Sequence, residues 1–214
     1  MADTLIRGTV VTTQDVLKDG WIAIAGERIK AVGRGSAPQA AAVMDYGAKL
    51  ILPGLVDGHM HTSSAVGWPG IEGSTRSAAA GGVTTCVDMP YDVPHAVTDA
   101  DVLAEKIGWV ERTANVDMAL YGTIRKHSGD DAIAGLAAAG VSAFKLSTYE
   151  YDPVRFPRID HPTMRDAFAA IAKTGLPVAV HNEDQELVER LTTAARAAER
   201  GAQIGWLVLR SRVA

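Results

Sequence analysis

From residue 49 onward the sequence alternates short apolar runs with segments of helical spacing, and this alternation restricts the possible folds more than any other feature. The apolar, often β-branched runs predict strands over residues 50–56, 83–88, 116–121, 141–146 and 177–181. Helical spacing and glycine stops predict helices over residues 75–81, 99–112, 130–139, 161–174 and 184–200. Strands that alternate with helices usually pair in parallel, so the pattern indicates an α/β fold, either a doubly wound sheet or a (β/α)8 barrel.

The first 48 residues have a different character. Short β-branched runs over residues 5–11, 20–24 and 28–33 are separated by Asp-Gly and Gly-Glu pairs, which predicts a small antiparallel β unit. Such a unit buries only one face and needs another layer to cover it. We therefore expect a separate β portion over residues 1–48, an α/β portion over 49–200 and a tail over 201–214.

The length of the chain limits how much of a barrel it can form. A complete (β/α)8 barrel takes about 250 residues, whereas the whole chain has 214. The sequence from residue 49 has room for about the first five βα units, with residues 206–209 as a stub of a sixth strand.

Composition narrows the choice of compartment and partners. The net charge of −4 gives no reason to expect nucleic acid or an acidic membrane surface as a partner. No apolar run approaches the roughly 20 residues that span a bilayer, and the N-terminus has no secretory pattern. The single cysteine, Cys86, excludes an intramolecular disulfide and fits a reducing compartment, so we expect a cytoplasmic protein.

Four side chains that can bind metal or react fall at the carboxyl ends of predicted strands, where the functional groups of such folds gather. His59 and His61 are two residues apart, so in an extended segment they face the same way. Lys145 lies near the end of the fourth strand and His181 at the end of the fifth. Taken singly, His181 can be a core histidine and Lys145 can reach solvent, but together the four predict a metal site. His95, His127 and His161 have weaker claims, as two loop residues and a helix start.

The run from Pro53 to His61 resembles the metal-site signature of the amidohydrolase superfamily, specifically of the cyclic amidohydrolases: hydantoinase (dihydropyrimidinase), allantoinase and dihydroorotase. The resemblance continues through residues 73–85, 88–90, 144–145 and 180–184, and it includes the N-terminal β unit. It implies an α/β fold in which an incomplete (β/α)8 TIM-type barrel follows a small β-sandwich portion.

The resemblance also implies a function and its cofactors. His59 and His61 would hold the more buried of two zinc ions, Lys145 would be carboxylated by CO2 and bridge both metals, and His181 would hold the second. The implied reaction is metal-dependent hydrolysis of a C–N bond in a small cyclic amide, through a hydroxide that bridges the metals. Full-length relatives are expected to be homo-oligomers.

The sequence also departs from the family pattern. The family supplies another histidine after the sixth strand and a general-base aspartate after the eighth, but here no histidine follows His181 and no acidic residue follows Glu199. No catalytic residue can therefore be assigned within the chain. We expect a C-terminally truncated or frame-shifted form that is inactive alone. The alternative is a non-catalytic fragment or an interaction protein like the dihydropyrimidinase-related proteins.

The choice of substrate rests on a few positions. Dihydroorotases place an arginine and an asparagine where this chain has Ser63 and Tyr91, which disfavours that activity. Met89-Pro90 and the spacing from His61 to residue 75 are closer to allantoinase. Tyr149 corresponds loosely to a substrate-binding tyrosine of hydantoinases, one residue out of register.

Overall fold

The computed structural model describes residues 2–126 and 130–198. The chain divides into two compact units, one ending at Leu55 and the other beginning at Val56. The predicted boundary at residue 48 falls within the last strand of the first unit. No helix in the described ranges is both long and apolar enough to cross a membrane. The predicted stub over residues 206–209 and the tail over 201–214 lie outside the described residues.

The first unit is a four-stranded sheet. Its strands are β1 (Ala2–Val11), β2 (Val16–Ala25), β3 (Arg28–Arg34) and β4 (Ala40–Ile51), in the order β3-β2-β1-β4. β1 and β3 are antiparallel to β2, as predicted, but β4 lies parallel to β1. The expectation of a purely antiparallel unit was therefore wrong. Leu5 and Ala23 form the buried centre of this sheet.

The second unit alternates strands and helices as the sequence predicts. Its strands are β5 (Leu55–Met60), β6 (Val83–Asp88), β7 (Asp117–Gly122), β8 (Ala143–Ser147) and β9 (Val178–His181), which form one curled sheet in chain order. The pairs from β6 to β9 are parallel. Its helices are α1 (Gly70–Ala80), α2 (Ala100–Thr113), α3 (Asp130–Ala139), α4 (His161–Thr174) and α5 (Gln185–Ala197). The α/β class and the half-barrel are confirmed.

The apolar run over residues 50–56 is not one buried strand. Its first part ends β4 and its last part begins β5, because Pro53 lacks the N–H that a strand interior needs. Leu50, Leu55 and Val56 are 62%, 57% and 68% exposed. The prediction of a single buried strand that carries the histidines was therefore wrong, although β5 does lead into them.

The core of the second unit lies between the sheet and helices α3 and α4. All five residues of β8 are buried, and Phe144 is completely inaccessible. Leu136 and Ile171 reach this core from the two helices. The buried face of α4 consists of Met164, Ala167, Ala170 and Ile171, whereas Phe168 on the same helix is 38% exposed.

Capping interactions at the starts of α2 and α4, and a glycine at the end of α4, explain why the predicted bounds of these helices agree with the structure. The side chain of Asp99 accepts a hydrogen bond of 3.0 Å from the N–H of Val102 and so caps α2. Asp160 caps α4 in the same way through Thr163, which places His161 at the helix start as expected. α4 ends at Gly175, whose φ of 73° favours glycine.

Candidate metal centre

His59 lies in β5 and His61 directly follows it. Their Nε2 atoms are 3.3 Å apart. Two ligands of a tetrahedral zinc ion, each bound at 2.0–2.1 Å, are also about 3.3 Å apart. The spacing of the two imidazoles therefore fits two ligands of one metal ion.

The backbone on both sides of His61 is fixed by the end of β6. The carbonyl of Met60 accepts a hydrogen bond of 2.9 Å from the N–H of Met89. The N–H of Thr62 donates to Oδ1 of Asp88 at 2.8 Å, and the Thr62 hydroxyl donates to Oδ2 at 2.8 Å. Because the neighbours on both sides are held, the Cα of His61 is held as well.

Both imidazoles are favoured in the neutral form that binds metal. The pKa of His59 is lowered mainly by burial and then by the positive charge of Lys145, while Asp57 acts in the opposite direction. Burial followed by the charge of His59 lowers the pKa of His61, and Lys145 contributes in the same direction. The charge of Lys145 thus disfavours the protonated form of both histidines.

Lys145 lies in β8 and is 6% exposed. Burial lowers its pKa, so the reactive neutral amine is easier to form than in water. Within the part of the chain that the structure describes, Nζ of Lys145 has no hydrogen-bond or ion-pair partner. Its carbonyl accepts a hydrogen bond of 3.3 Å from the hydroxyl of Tyr91.

His181 ends β9, beside the end of β8, where it pairs with Ser147. Its Nε2 lies 3.2 Å from Oε2 of Glu183. The ring of Phe156 meets the imidazole edge-on at 5.2 Å between centroids, and the ring of Tyr149 lies at 6.3 Å. The charge of His181 also contributes to lowering the pKa of His59.

A buried ion network that the sequence did not reveal lies beneath the histidines. Nζ of Lys106, on α2, lies 2.7 Å from both Oδ2 of Asp88 and Oδ2 of Asp92, and all three side chains are completely buried. The third N–H of Lys106 donates to the carbonyl of Met89 at 3.2 Å. Burial raises the pKa of Asp92 to about 6, against the opposing effect of Lys106. The network fixes the segment that in turn holds His61.

The remaining histidines lie elsewhere. His95 is exposed in the loop after β6 and lines a cavity of about 730 Å³ together with Arg125 and Val154. His161 begins α4, and His127 lies outside the described residues. Across residues 2–126 and 130–198, no three His, Cys, Asp or Glu side chains form a cluster that could hold a metal. Of the four predicted ligands, the structure brings His59 and His61 together, while the parts of Lys145 and His181 in the site stay predictions.

Comparison with known proteins identifies the relatives of this chain. It is 32% identical to an allantoinase of Solibacter usitatus over its full length and 33% identical to an allantoinase of Rubrobacter xylanophilus over 99% of its length. It covers 47% of each of these proteins. The chain thus spans about half the length of the curated relatives it matches. No family model matches it.

Comparison of the fold with solved structures also identifies a cyclic amidohydrolase as a relative. The structure superposes on L-hydantoinase (dihydropyrimidinase) from Arthrobacter aurescens with a TM-score of 0.80 and 25% sequence identity. The match covers 92% of this chain and 44% of the hydantoinase. The chain therefore belongs to the cyclic amidohydrolases, the group of the amidohydrolase superfamily that includes the allantoinases and hydantoinases.

Proposed function

We propose that this chain contributes the metal-binding part of a hydrolase that opens a cyclic amide at a C–N bond, as in an allantoinase or hydantoinase. The observation that carries the proposal is the pair of Nε2 atoms of His59 and His61, 3.3 Å apart. Lys145, a buried lysine near the end of β8, supports the proposal because its charge acts on the pKa of both histidines.

The four candidate ligands have distinct roles in this proposal. His59 and His61 would hold one zinc ion, His181 would hold a second, and Lys145 would bridge the two as a carbamate. Zinc supplies Lewis acidity, which polarises an amide carbonyl and lowers the pKa of water.

The surroundings of Lys145 support the proposed carbamate. The neutral amine would react with CO2, forming an N–C bond as one C=O π bond breaks and releasing one proton to water, and the resulting carbamate would offer two oxygen ligands. Burial that lowers the pKa of Lys145 favours this reaction, because the attacking form is the free amine. Within the described residues Nζ has no hydrogen-bond or ion-pair partner, so no such contact competes with reaction at the amine.

Aromatic side chains would orient the substrate ring. Phe156 and Tyr149 surround the imidazole of His181 and give a flat ring an apolar wall. Tyr91 is buried, its ring stacks on Phe156 at 3.8 Å, and its hydroxyl donates to the carbonyl of Lys145. It is therefore part of the framework, and we propose a ring such as allantoin or hydantoin in preference to dihydroorotate.

The test combines metal content with ring opening. Purified chain is loaded with zinc and bicarbonate, and metal is measured by mass spectrometry beside hydrolysis of allantoin, hydantoin and dihydrouracil. Near-stoichiometric zinc that is lost in His59→Ala and kept in His95→Ala would support the proposal. Zinc at background level in the wild-type chain would contradict it.

We further propose that the complete enzyme is a cytoplasmic homo-oligomer.

A second candidate function is a non-catalytic interaction module, and exposed apolar side chains on the first unit favour it. Ile29 on β3 and Val43, Met44 and Leu50 on β4 are between 50% and 64% exposed. Exposed apolar side chains mark association surfaces where they form a contiguous patch. Sedimentation of the zinc-loaded chain decides this: stable assemblies without ring opening would favour the interaction module over the hydrolase.

A further inference from the structure

Ser64 lies close to the side of His61 that faces away from the candidate metal position. Its Oγ is 2.9 Å from Nδ1 of His61. The same hydroxyl donates to the carbonyl of Tyr91 at 3.1 Å. Ser64 is only half-buried, and sequence reasoning did not single it out.

The single hydrogen of the hydroxyl determines the direction of both contacts. A carbonyl can only accept, so the hydrogen of Ser64 is used toward Tyr91. When the hydroxyl donates to Tyr91, it offers a lone pair toward His61, and a hydrogen bond to Nδ1 then requires the Nδ1-protonated form of the neutral imidazole. Nε2 is left with its lone pair, and this is the atom that lies 3.3 Å from Nε2 of His59.

Arg155 fixes this arrangement from the opposite side. Its Nη1 donates to the carbonyl of Tyr91 at 2.7 Å and to the carbonyl of Ser64 at 3.2 Å. Nη1 of Arg155 thus contacts the backbone of both Ser64 and Tyr91, the two residues that the Ser64 hydroxyl also joins. The hydroxyl of Ser64 is held at a set distance from Nδ1 because both its own backbone and its acceptor are anchored.

We propose that Ser64 is a positioning residue of the metal site, whose hydroxyl selects the Nδ1-protonated tautomer of His61 and so presents Nε2 as a ligand. The inference deepens the proposed function and rests on it. Without the hydroxyl, the imidazole can rotate or take the Nε2-protonated tautomer, which places a hydrogen where the metal is expected. Loss of such an orienting partner typically weakens metal binding by about 10- to 100-fold.

The experiment compares Ser64→Ala with Ser63→Ala in the full chain. Ser63 is a completely buried serine one position earlier, and its hydroxyl contacts Thr62, not an imidazole. Two quantities are measured: the ¹⁵N shifts of the His61 ring in zinc-free protein, which report the tautomer, and the zinc dissociation constant by competition with a chelating dye.

We expect Nδ1-protonated His61 in the wild-type chain and in Ser63→Ala, and a shift toward the Nε2-protonated form in Ser64→Ala. Zinc binding should weaken by about 10- to 100-fold only in Ser64→Ala. An unchanged tautomer in Ser64→Ala would overturn the inference, as would a zinc affinity equal to that of Ser63→Ala. A wild-type chain that binds no zinc would contradict the proposed function, while the tautomer measurement would still decide the role of Ser64.

Discussion

Replacing Asp92 by asparagine should stabilise the folded chain at alkaline pH, although it removes one half of a buried ion pair. Lys106 carries one positive charge and faces two carboxylates, those of Asp88 and Asp92, at 2.7 Å each. All three groups are completely buried. With both acids ionised, two negative charges face one positive charge, and the network carries a net charge of about −1. Asp88 also accepts from Thr62, whereas Asp92 has less to stabilise its charge.

The pKa of Asp92 gives the magnitude. Burial raises it from the ordinary 3.8 to about 6. The folded state therefore keeps this proton to a higher pH than the unfolded state, and stability falls as pH rises from about 4 to about 6. At about 1.4 kcal/mol for each pKa unit, the ionised carboxylate costs about 3 kcal/mol above that range. An asparagine resembles the protonated acid and does not carry this cost.

The assay is urea denaturation of the wild-type chain and Asp92→Asn at pH 4 and pH 8. We expect equal stability at pH 4 and a gain of up to about 3 kcal/mol for the variant at pH 8. Asp117→Asn, which changes an exposed aspartate at the start of β7, controls for the general effect of removing a negative charge. An Asp92→Asn variant that is less stable than wild type at pH 8, but not at pH 4, would refute this reasoning.

Two further predictions concern the framework. Phe144→Ala empties a completely buried position in the core and should cost about 3–5 kcal/mol in urea denaturation, whereas Phe168→Ala, at a 38% exposed position, should cost clearly less; equal losses would contradict the assignment of the core. Asp99→Ala removes the cap that accepts from Val102 and should cost about 1 kcal/mol, while Asp101→Ala in the first turn should cost less; the reverse order in thermal unfolding would contradict the capping role.

Elements with strong local signals could be predicted from the sequence almost to their ends. β6 follows from its β-branched run, and α3 and α4 stop where Gly140 and Gly175 take positive φ angles. α1 was predicted to begin at residue 75 but begins at Gly70. Gly70 and Gly73 weaken the helical signal of its first turns, and packing in the folded chain overrides that local preference.

The division of the apolar run over residues 50–56 could not be predicted from periodicity. Pro53 and Gly54 interrupt the run, but whether the two parts join one strand or two depends on which strands pair with them. The β4 part pairs with β1, a contact between distant segments that no local pattern encodes.

Some features of the candidate site could likewise be predicted from the sequence, and others could not. The shared face of His59 and His61 follows from the alternation of side chains along a strand, and the burial of Lys145 follows from its apolar neighbours. The burial of Lys106 was not predictable, because a lysine on an amphipathic helix usually reaches solvent. Its partner Asp88 comes from a preceding strand, and only the packing of α2 on β6 brings the two together.

The most direct test of the account is the zinc content of the chain and of His61→Ala after equilibrium dialysis against zinc and bicarbonate, with His95→Ala as the matched control. The spacing of the two Nε2 atoms predicts zinc near one or two equivalents in the wild-type chain and in His95→Ala, and a large loss in His61→Ala. Equal zinc in all three proteins, or none in any, would contradict a metal centre at the end of β5.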